Sequence, residues 1–376
     1  MSSGVRHLYV HMPFCVHRCG YCDFVTAVGR QEQHGAYVDA VLAELALEGG
    51  RLAEPLDTVY VGGGTPTFTE HGALSRLLES LPTAEELTVE ANPETVTPEL
   101  VRLLTERGIN RVSLGAQTFR PALLSVLERQ AGPDDVRRAV HTLRDASFDN
   151  ISLDLLYGIP GQSSADLDAD IEQALMLGPE HMSWYELEAK PGTRFTHRFG
   201  TELARQADAM EGYFERVVGR LTRAGYRWYE TANFALSPAR DGGSRDLRSR
   251  HNLAYWHGRD YLGVGVGAVS TVTGARWRNG PRLPAYIAAL ARTEAPPREL
   301  EPLPHEVQLR ERVMLGLRLD EPLPLAEVGP AIDPRALERL EGLELVETSA
   351  STVRLTPRGR RLGGGVTAEL LAYTES

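Results

Sequence analysis

Six short apolar runs recur along the first half of the chain, each separated from the next by a stretch of helical character, and this alternation narrows the possible folds most. The runs are "HLYVHM" (7–12), "DTVYVGG" (57–63), "ELTVEA" (86–91), "RVSLGA" (111–116), "NISLDLLYG" (150–158) and "HMSWYELE" (181–188). Each is rich in β-branched or aromatic residues and bounded by turn formers, which is the pattern of a strand. Between them, "AYVDAVLAELALE" (36–48) repeats its apolar residues at helical spacing. "TPELVRLLTERG" (97–108) offers Thr97 as N-cap, Pro98 in the first turn and Gly108 as a stop. "SSADLDADIEQALMLG" (163–178) opens with serine and early acids and stops at Gly178. Strands alternating with helices predict parallel βαβ units, hence an α/β fold built as a partial or complete (β/α) barrel. A doubly wound open sheet is the alternative. Either architecture puts the active site at the carboxyl ends of the strands.

The chain's 376 residues exceed one small domain, and the alternation accounts for residues 1–235. "LSPARDGGSRDLRSR" (236–250) is rich in Gly, Ser and charge and reads as a solvated loop. Residues 236–293 are expected to complete one side of the barrel, and the proline-rich "EAPPRELEPLP" (294–304) reads as a linker. The order helix, helix, hairpin and short helix over 305–376 predicts a winged-helix-like domain. That domain carries twelve Asp and Glu against nine Arg, and the whole chain has a net charge of −11. Affinity for nucleic acid rests on phosphate neutralisation, so neither figure suits a nucleic-acid partner.

All three cysteines fall in "HMPFCVHRCGYCDF" (11–24), spaced C-x3-C-x2-C directly after the first strand. An odd number cannot pair internally, and the density is far below that of a disulfide-stapled domain. "MSSGVRHLYVHMPF" lacks the basic-then-apolar pattern of a secretion signal, and no apolar run approaches the roughly 18 residues of a membrane span. The expectation is therefore a reducing, cytoplasmic compartment, no integral membrane span, and metal or redox chemistry at Cys15, Cys19 and Cys22. A structural zinc site wants four protein ligands, so His11 or His17 would have to complete it. An iron–sulfur cluster accepts three thiolates and keeps one iron open to a small molecule.

Other polar positions gather at the same rim. "VGGGTPTF" (61–68) follows the second strand, and its glycines permit close approach of backbone to a ligand. Glu90 ends the third strand, Gln117 the fourth, and Asp154 lies in the fifth. One such residue is ordinarily a satisfied core polar group. Three that converge beside clustered cysteines form a candidate ligand shell.

"YVHMPFCVHRCGYCDF", "VGGGTPT", "EANPE", "RVSLGAQTF", "SLDLLYGIPGQ" and "HNLAYW…YLGVGVGAVS" together resemble the radical S-adenosylmethionine (radical SAM) family, in its coproporphyrinogen dehydrogenase-like branch. The resemblance covers nearly the whole chain. It implies a [4Fe-4S] cluster on Cys15, Cys19 and Cys22, with SAM chelating the open iron. Gly63, Gly64 and Thr65 match the loop at the SAM amino group, and Gln117 and Asp154 match contacts to the ribose hydroxyls. Glu90 matches a further polar SAM contact, and Arg129 one to the carboxylate end. Tyr9 and Tyr21 match residues flanking the cofactor, and Val269 an apolar contact to it. The implied chemistry is one-electron cleavage of the SAM sulfonium to methionine and a 5′-deoxyadenosyl radical; no separate catalytic side chain is assigned.

Two members of the branch compete. One is a dehydrogenase that oxidatively decarboxylates coproporphyrinogen III in porphyrin biosynthesis. The other is a haem chaperone that delivers haem to acceptor proteins. The dehydrogenase carries a cysteine two residues after the third, where this chain has Phe24, and a long extension before the first strand. "HNLAYW" (251–256) resembles the HNxxYW motif of the chaperone group. These features favour the chaperone, with haem, haem-accepting proteins and an electron donor such as flavodoxin or ferredoxin as partners. The residues alone would make His251 a bridge across the barrel rim with its aromatic neighbours in the core; the resemblance makes it an expected haem contact.

Overall fold

A computed structural model describes residues 4–188, 190, 194–237 and 245–371. The six expected runs are strands: β1 (His7–Met12), β2 (Leu56–Gly63), β3 (Ala84–Ala91), β4 (Arg111–Gln117), β5 (Ile151–Tyr157) and β6 (His181–Glu186). They lie side by side in sequence order and pair in parallel throughout. A doubly wound sheet would reverse its order at a switch point; these six strands do not. Beyond β6 the sheet continues through an antiparallel hairpin, β7 (Tyr226–Trp228) and β8 (Asn233–Leu236), with β8 next to β6. At the other edge β9 (Leu262–Val264) joins β1 in parallel. Among the described residues the nine strands form one sheet of the (β/α)-barrel type whose two edges do not pair.

The connecting helices begin and end where local chemistry dictates. Ser163 accepts a hydrogen bond from the Asp166 amide, Asp166 accepts one from the Ser163 amide, and Gly178 closes the helix in the left-handed region (φ 58°). Thr97 caps the helix Pro98–Glu106 by accepting from the Leu100 amide. Within β1, alternation sends Leu8, Val10 and Met12 into the core under the helices, leaving Tyr9 and His11 to face the barrel interior. Each large apolar side chain so buried contributes roughly 1.5–3 kcal/mol.

Two stretches differ from their compositional reading. Part of the expected linker is a strand, Arg298–Pro302, at the edge of a sheet with Val269–Val272 and Ala275–Asn279. Proline and charge suggested a solvated connection, but Arg298 packs its guanidinium 5.4 Å from the Trp277 ring centroid. It also pairs with Glu44 (3.2 Å) and Glu48 (2.8 Å), both buried on the first long helix. Of the expected loop 236–250, residues 238–244 lie outside the described residues, and Arg250 already begins the helix Arg250–Trp256.

The C-terminal part packs around its own apolar cluster, including Val313, Leu340, Val353 and Leu370. Helices His305–Gly316 and Pro334–Gly342 precede a hairpin, Val346–Thr348 with Thr352–Leu355, which Leu323–Pro324 extends to three strands. No helix among the described residues is long and apolar enough to cross a membrane.

Candidate functional site

The carboxyl ends of the parallel strands open into a cavity of about 380 Å³. Its wall includes Cys15, Cys19 and Cys22 from the loop after β1, with Tyr21 between them. Gly63, Gly64 and Thr65 enter from the end of β2, Glu90 from β3, Gln117 from β4 and Asp154 from β5, and Arg129 arrives from the loop beyond β4.

Close approach governs the glycines. A Cβ on Gly64 would lie 2.7 Å from the Pro13 carbonyl oxygen and 2.9 Å from Cys15 Sγ. Gly63 has φ 116°, a conformation favouring glycine, and a Cβ there would meet the His11 ring at 2.6 Å. The Gly63 amide donates to Glu90 Oε2 (2.9 Å), and the Tyr60 hydroxyl donates to Oε1 (2.8 Å). Burial nevertheless pushes the Glu90 carboxyl up to about 7.

Around the cysteines, the Thr65 hydroxyl donates to Cys15 Sγ at 3.6 Å and Arg129 Nη1 to Cys19 Sγ at 3.8 Å. Arg129 Nη2 also donates to Gly115 O (2.8 Å) and Asn92 Oδ1 (2.9 Å), while Asn92 Nδ2 donates to Thr65 Oγ1 (3.1 Å). One network thus connects the cysteine loop, the glycine loop and the arginine. Burial pushes the Cys15 thiol up to about 11, and a metal must displace that proton, because the thiolate is the ligand.

Gln117 sits at a register shift between β4 and β5 with φ 64°. Such a backbone is costly for a residue with a side chain and recurs at functional sites. The turn folds Gln117 over Gly115, where a Cβ would stand 3.0 Å from Gln117 Nε2. Asp154 accepts from the Ser113 hydroxyl (2.8 Å), and burial raises its pKa.

The donor set distinguishes between metals. His11 Nε2 is engaged by Val25 O at 2.8 Å, and His17 faces Glu128 at 3.7 Å. Neither completes a mononuclear zinc site. Three thiols on one loop, with no fourth cysteine in the chain, fit a cluster with one iron left to a small molecule.

Residues 9–174 match the model of the Radical SAM superfamily and residues 303–362 that of the HemN C-terminal domain. Similar proteins include "Heme chaperone HemW" of Mycobacterium tuberculosis, 36% identical over 97% of this chain and 94% of the relative. The protein of the same name from Bacillus subtilis is 33% identical over 96% and 98%.

The chain belongs to the HemW family of radical SAM proteins.

The coproporphyrinogen III oxidase HemN of Escherichia coli, a radical SAM enzyme, superposes with a TM-score of 0.80 over 98% of this chain and 90% of its own. At 22% identity that likeness speaks for the fold alone.

In this HemW-family chain three expected contact residues lie away from the cavity wall. Tyr9 sits deeper along β1 than the strand ends; its hydroxyl is 3.0 Å from His11 Nδ1 and its ring stacks on Tyr60, the residue that reaches the wall. Val269 packs its backbone against β9, where a Cβ on Gly263 would come within 2.1 Å of its carbonyl oxygen. The third, His251, is fully buried in the helix Arg250–Trp256. Its Nδ1 is 2.7 Å from Thr58 Oγ1 and its Nε2 2.9 Å from the Tyr255 hydroxyl. Burial lowers its pKa to about 3, so the ring is neutral and both nitrogens are committed. In this structure His251 therefore bridges helix and sheet, and a haem contact at this residue stays an expectation of the resemblance.

Sequence reasoning passed over Asn92, Tyr60 and Arg111, which also line the cavity. Asn92 was legible: it stands two residues after Glu90 in "EANPE", on the same face of an extended segment. Arg111 was not. It opens a strand as a flanking charge would, yet it is 2% exposed, and Nη1 donates to Asn150 Oδ1 at 2.7 Å.

Proposed function

We propose that this protein is a radical SAM haem chaperone, which binds haem and passes it to acceptor proteins. Cys15, Cys19 and Cys22 would hold a [4Fe-4S] cluster. SAM would lie along Gly63, Gly64 and Thr65, with Glu90 as a further polar contact, Gln117 and Asp154 toward the ribose, Arg129 toward the carboxylate end and Tyr21 alongside. When bound, these groups supply one-electron reductive cleavage of the sulfonium. The chain's own part is positional: Glu90 fixes the Gly63 amide and the Tyr60 hydroxyl, Thr65 directs its hydroxyl at Cys15, and Arg129 sets a cation beside Cys19. The reading includes a cytoplasmic setting and an electron donor of the flavodoxin or ferredoxin kind.

What supports the reading above all is the shared cavity in a chain with two such relatives over nearly its full length: the three cysteines and the strand-end polar residues form one wall. Phe24 at the rim, 63% exposed, stands where the dehydrogenase expectation requires another cysteine. A transfer assay tests the proposal. The anaerobically reconstituted protein is loaded with haem and mixed with an apo-haemoprotein while the Soret band is followed. Movement of haem to the acceptor is expected; a protein that retains no haem, or never releases it, would refute the chaperone reading.

A further inference from the structure

A second concavity, of about 780 Å³, lies between the C-terminal part and the far side of the main sheet. Strand alternation separates it from the cysteine cavity. On β5 Leu156 faces the cavity and Tyr157 the groove; on β6 Tyr185 faces the cavity and Glu186 the groove. The two sites are opposite faces of one wall.

The groove combines apolar surface with Arg360 and Arg318, which make no ion pair within 4 Å among the described residues, although Asp320 and Glu230 act on Arg360 from further off. Phe214 lines one side, and Met314 and Leu362, each 47% exposed, line the other. Arg360 lays its guanidinium 3.6 Å from the Trp228 ring centroid and donates through Nη1 to Trp228 O at 2.8 Å. Its Nη2 is buried and has no hydrogen-bond partner among the described residues. Such a group, left without an acceptor, carries a desolvation cost. Burial lowers its pKa only to about 10, so it stays charged at neutral pH. Arg318, over the Trp256 ring at 5.1 Å, also has no carboxylate within ion-pair distance among the described residues.

Gly363 and Gly364 line the groove at the start of the helix Gly363–Leu370. Glycine is a poor helix former, yet a Cβ on Gly364 would meet nothing within 4 Å. Packing does not demand glycine there, and the two glycines leave that part of the groove wall without side chains. Glu186, Glu188 and Glu211 also line the groove. The mixed charge disfavours a polyanion and suits a flat apolar ligand whose negative charges sit on one edge.

Resting on the chaperone reading, we propose that this groove seats haem, with its propionates on Arg360 and Arg318 and its ring against Phe214, Leu362 and the glycine wall. The test is haem titration of the full-length reconstituted protein, followed in the Soret band, for wild type, Arg318→Gln and Gly364→Phe. Arg318 is exposed and Gly364 borders open space, so both variants should fold, which thermal melting checks. Arg318→Gln is expected to bind haem about 10- to 100-fold more weakly, the range for a lost charge-assisted contact, and Gly364→Phe, whose ring would fill the seat, is expected to bind it more weakly than wild type. Affinity for SAM should not change, because the cavity lies across the sheet. Wild-type haem affinity in both folded variants would overturn the groove while leaving the chaperone reading intact. A wild-type protein that binds no haem would overturn both.

Discussion

Gly64 shows how little freedom single positions have around the cysteines. A methyl group there would collide with the Pro13 carbonyl and with Cys15 Sγ, so the loop that carries the sulfur would have to shift. Gly64→Ala is expected to retain clearly less iron and sulfide after anaerobic reconstitution than wild type, with weaker SAM binding; a full cluster and unchanged SAM affinity would contradict the packing account. Glu90 makes a prediction about pH. Burial raises its carboxyl from 4.5 to about 7, so the folded state holds the proton more tightly than the unfolded one. Its favourable contribution is complete below pH 4.5 and is lost as pH rises through 7. The loss is about 1–3 kcal/mol, solvent at the cavity wall trimming the upper figure. Urea unfolding at pH 5 and pH 8 should show a smaller pH-dependent drop for Glu90→Gln than for wild type; identical drops would mean that the carboxyl titrates near its ordinary range.

Among the elements, the helix Arg250–Trp256 teaches most about what a sequence conceals. Its motif suggested a haem contact, yet His251 bonds to Thr58, 193 residues away in the chain. No local pattern can report a partner at that separation. The account predicts that His251→Ala lowers stability by about 2–4 kcal/mol, from a buried cavity and an unpaired Thr58 hydroxyl, while haem affinity and absorption bands stay as in wild type. Native stability with altered haem bands would instead make His251 a haem ligand. The six parallel strands were legible because each is a short β-branched run bounded by turns and helix caps, and Ser163 and Gly178 act as those rules require. The edge strand Arg298–Pro302 was not legible, because its partners Trp277, Glu44 and Glu48 come from other parts of the chain. At the cavity, Glu90 and Gln117 stood out as polar strand ends. The role of Gly115 did not, because it depends on Gln117 folding over it and on Arg129 reaching its carbonyl.

At the scale of the whole molecule, one sheet presents two different faces. Its strand ends collect thiols and polar groups on one side, and its far side meets the C-terminal part across a groove lined by Arg318 and Arg360, which make no ion pair within 4 Å among the described residues. A chaperone must hold haem without consuming a porphyrin precursor, whereas a dehydrogenase of the same fold must consume one. The deciding measurement supplies the anaerobically reconstituted protein with SAM, a reductant and either haem or coproporphyrinogen III. Bound haem is read from its absorption, and carbon dioxide from the propionates by mass. The account predicts stable haem binding and no carbon dioxide from coproporphyrinogen III; catalytic release of carbon dioxide, or failure to bind haem, would contradict it.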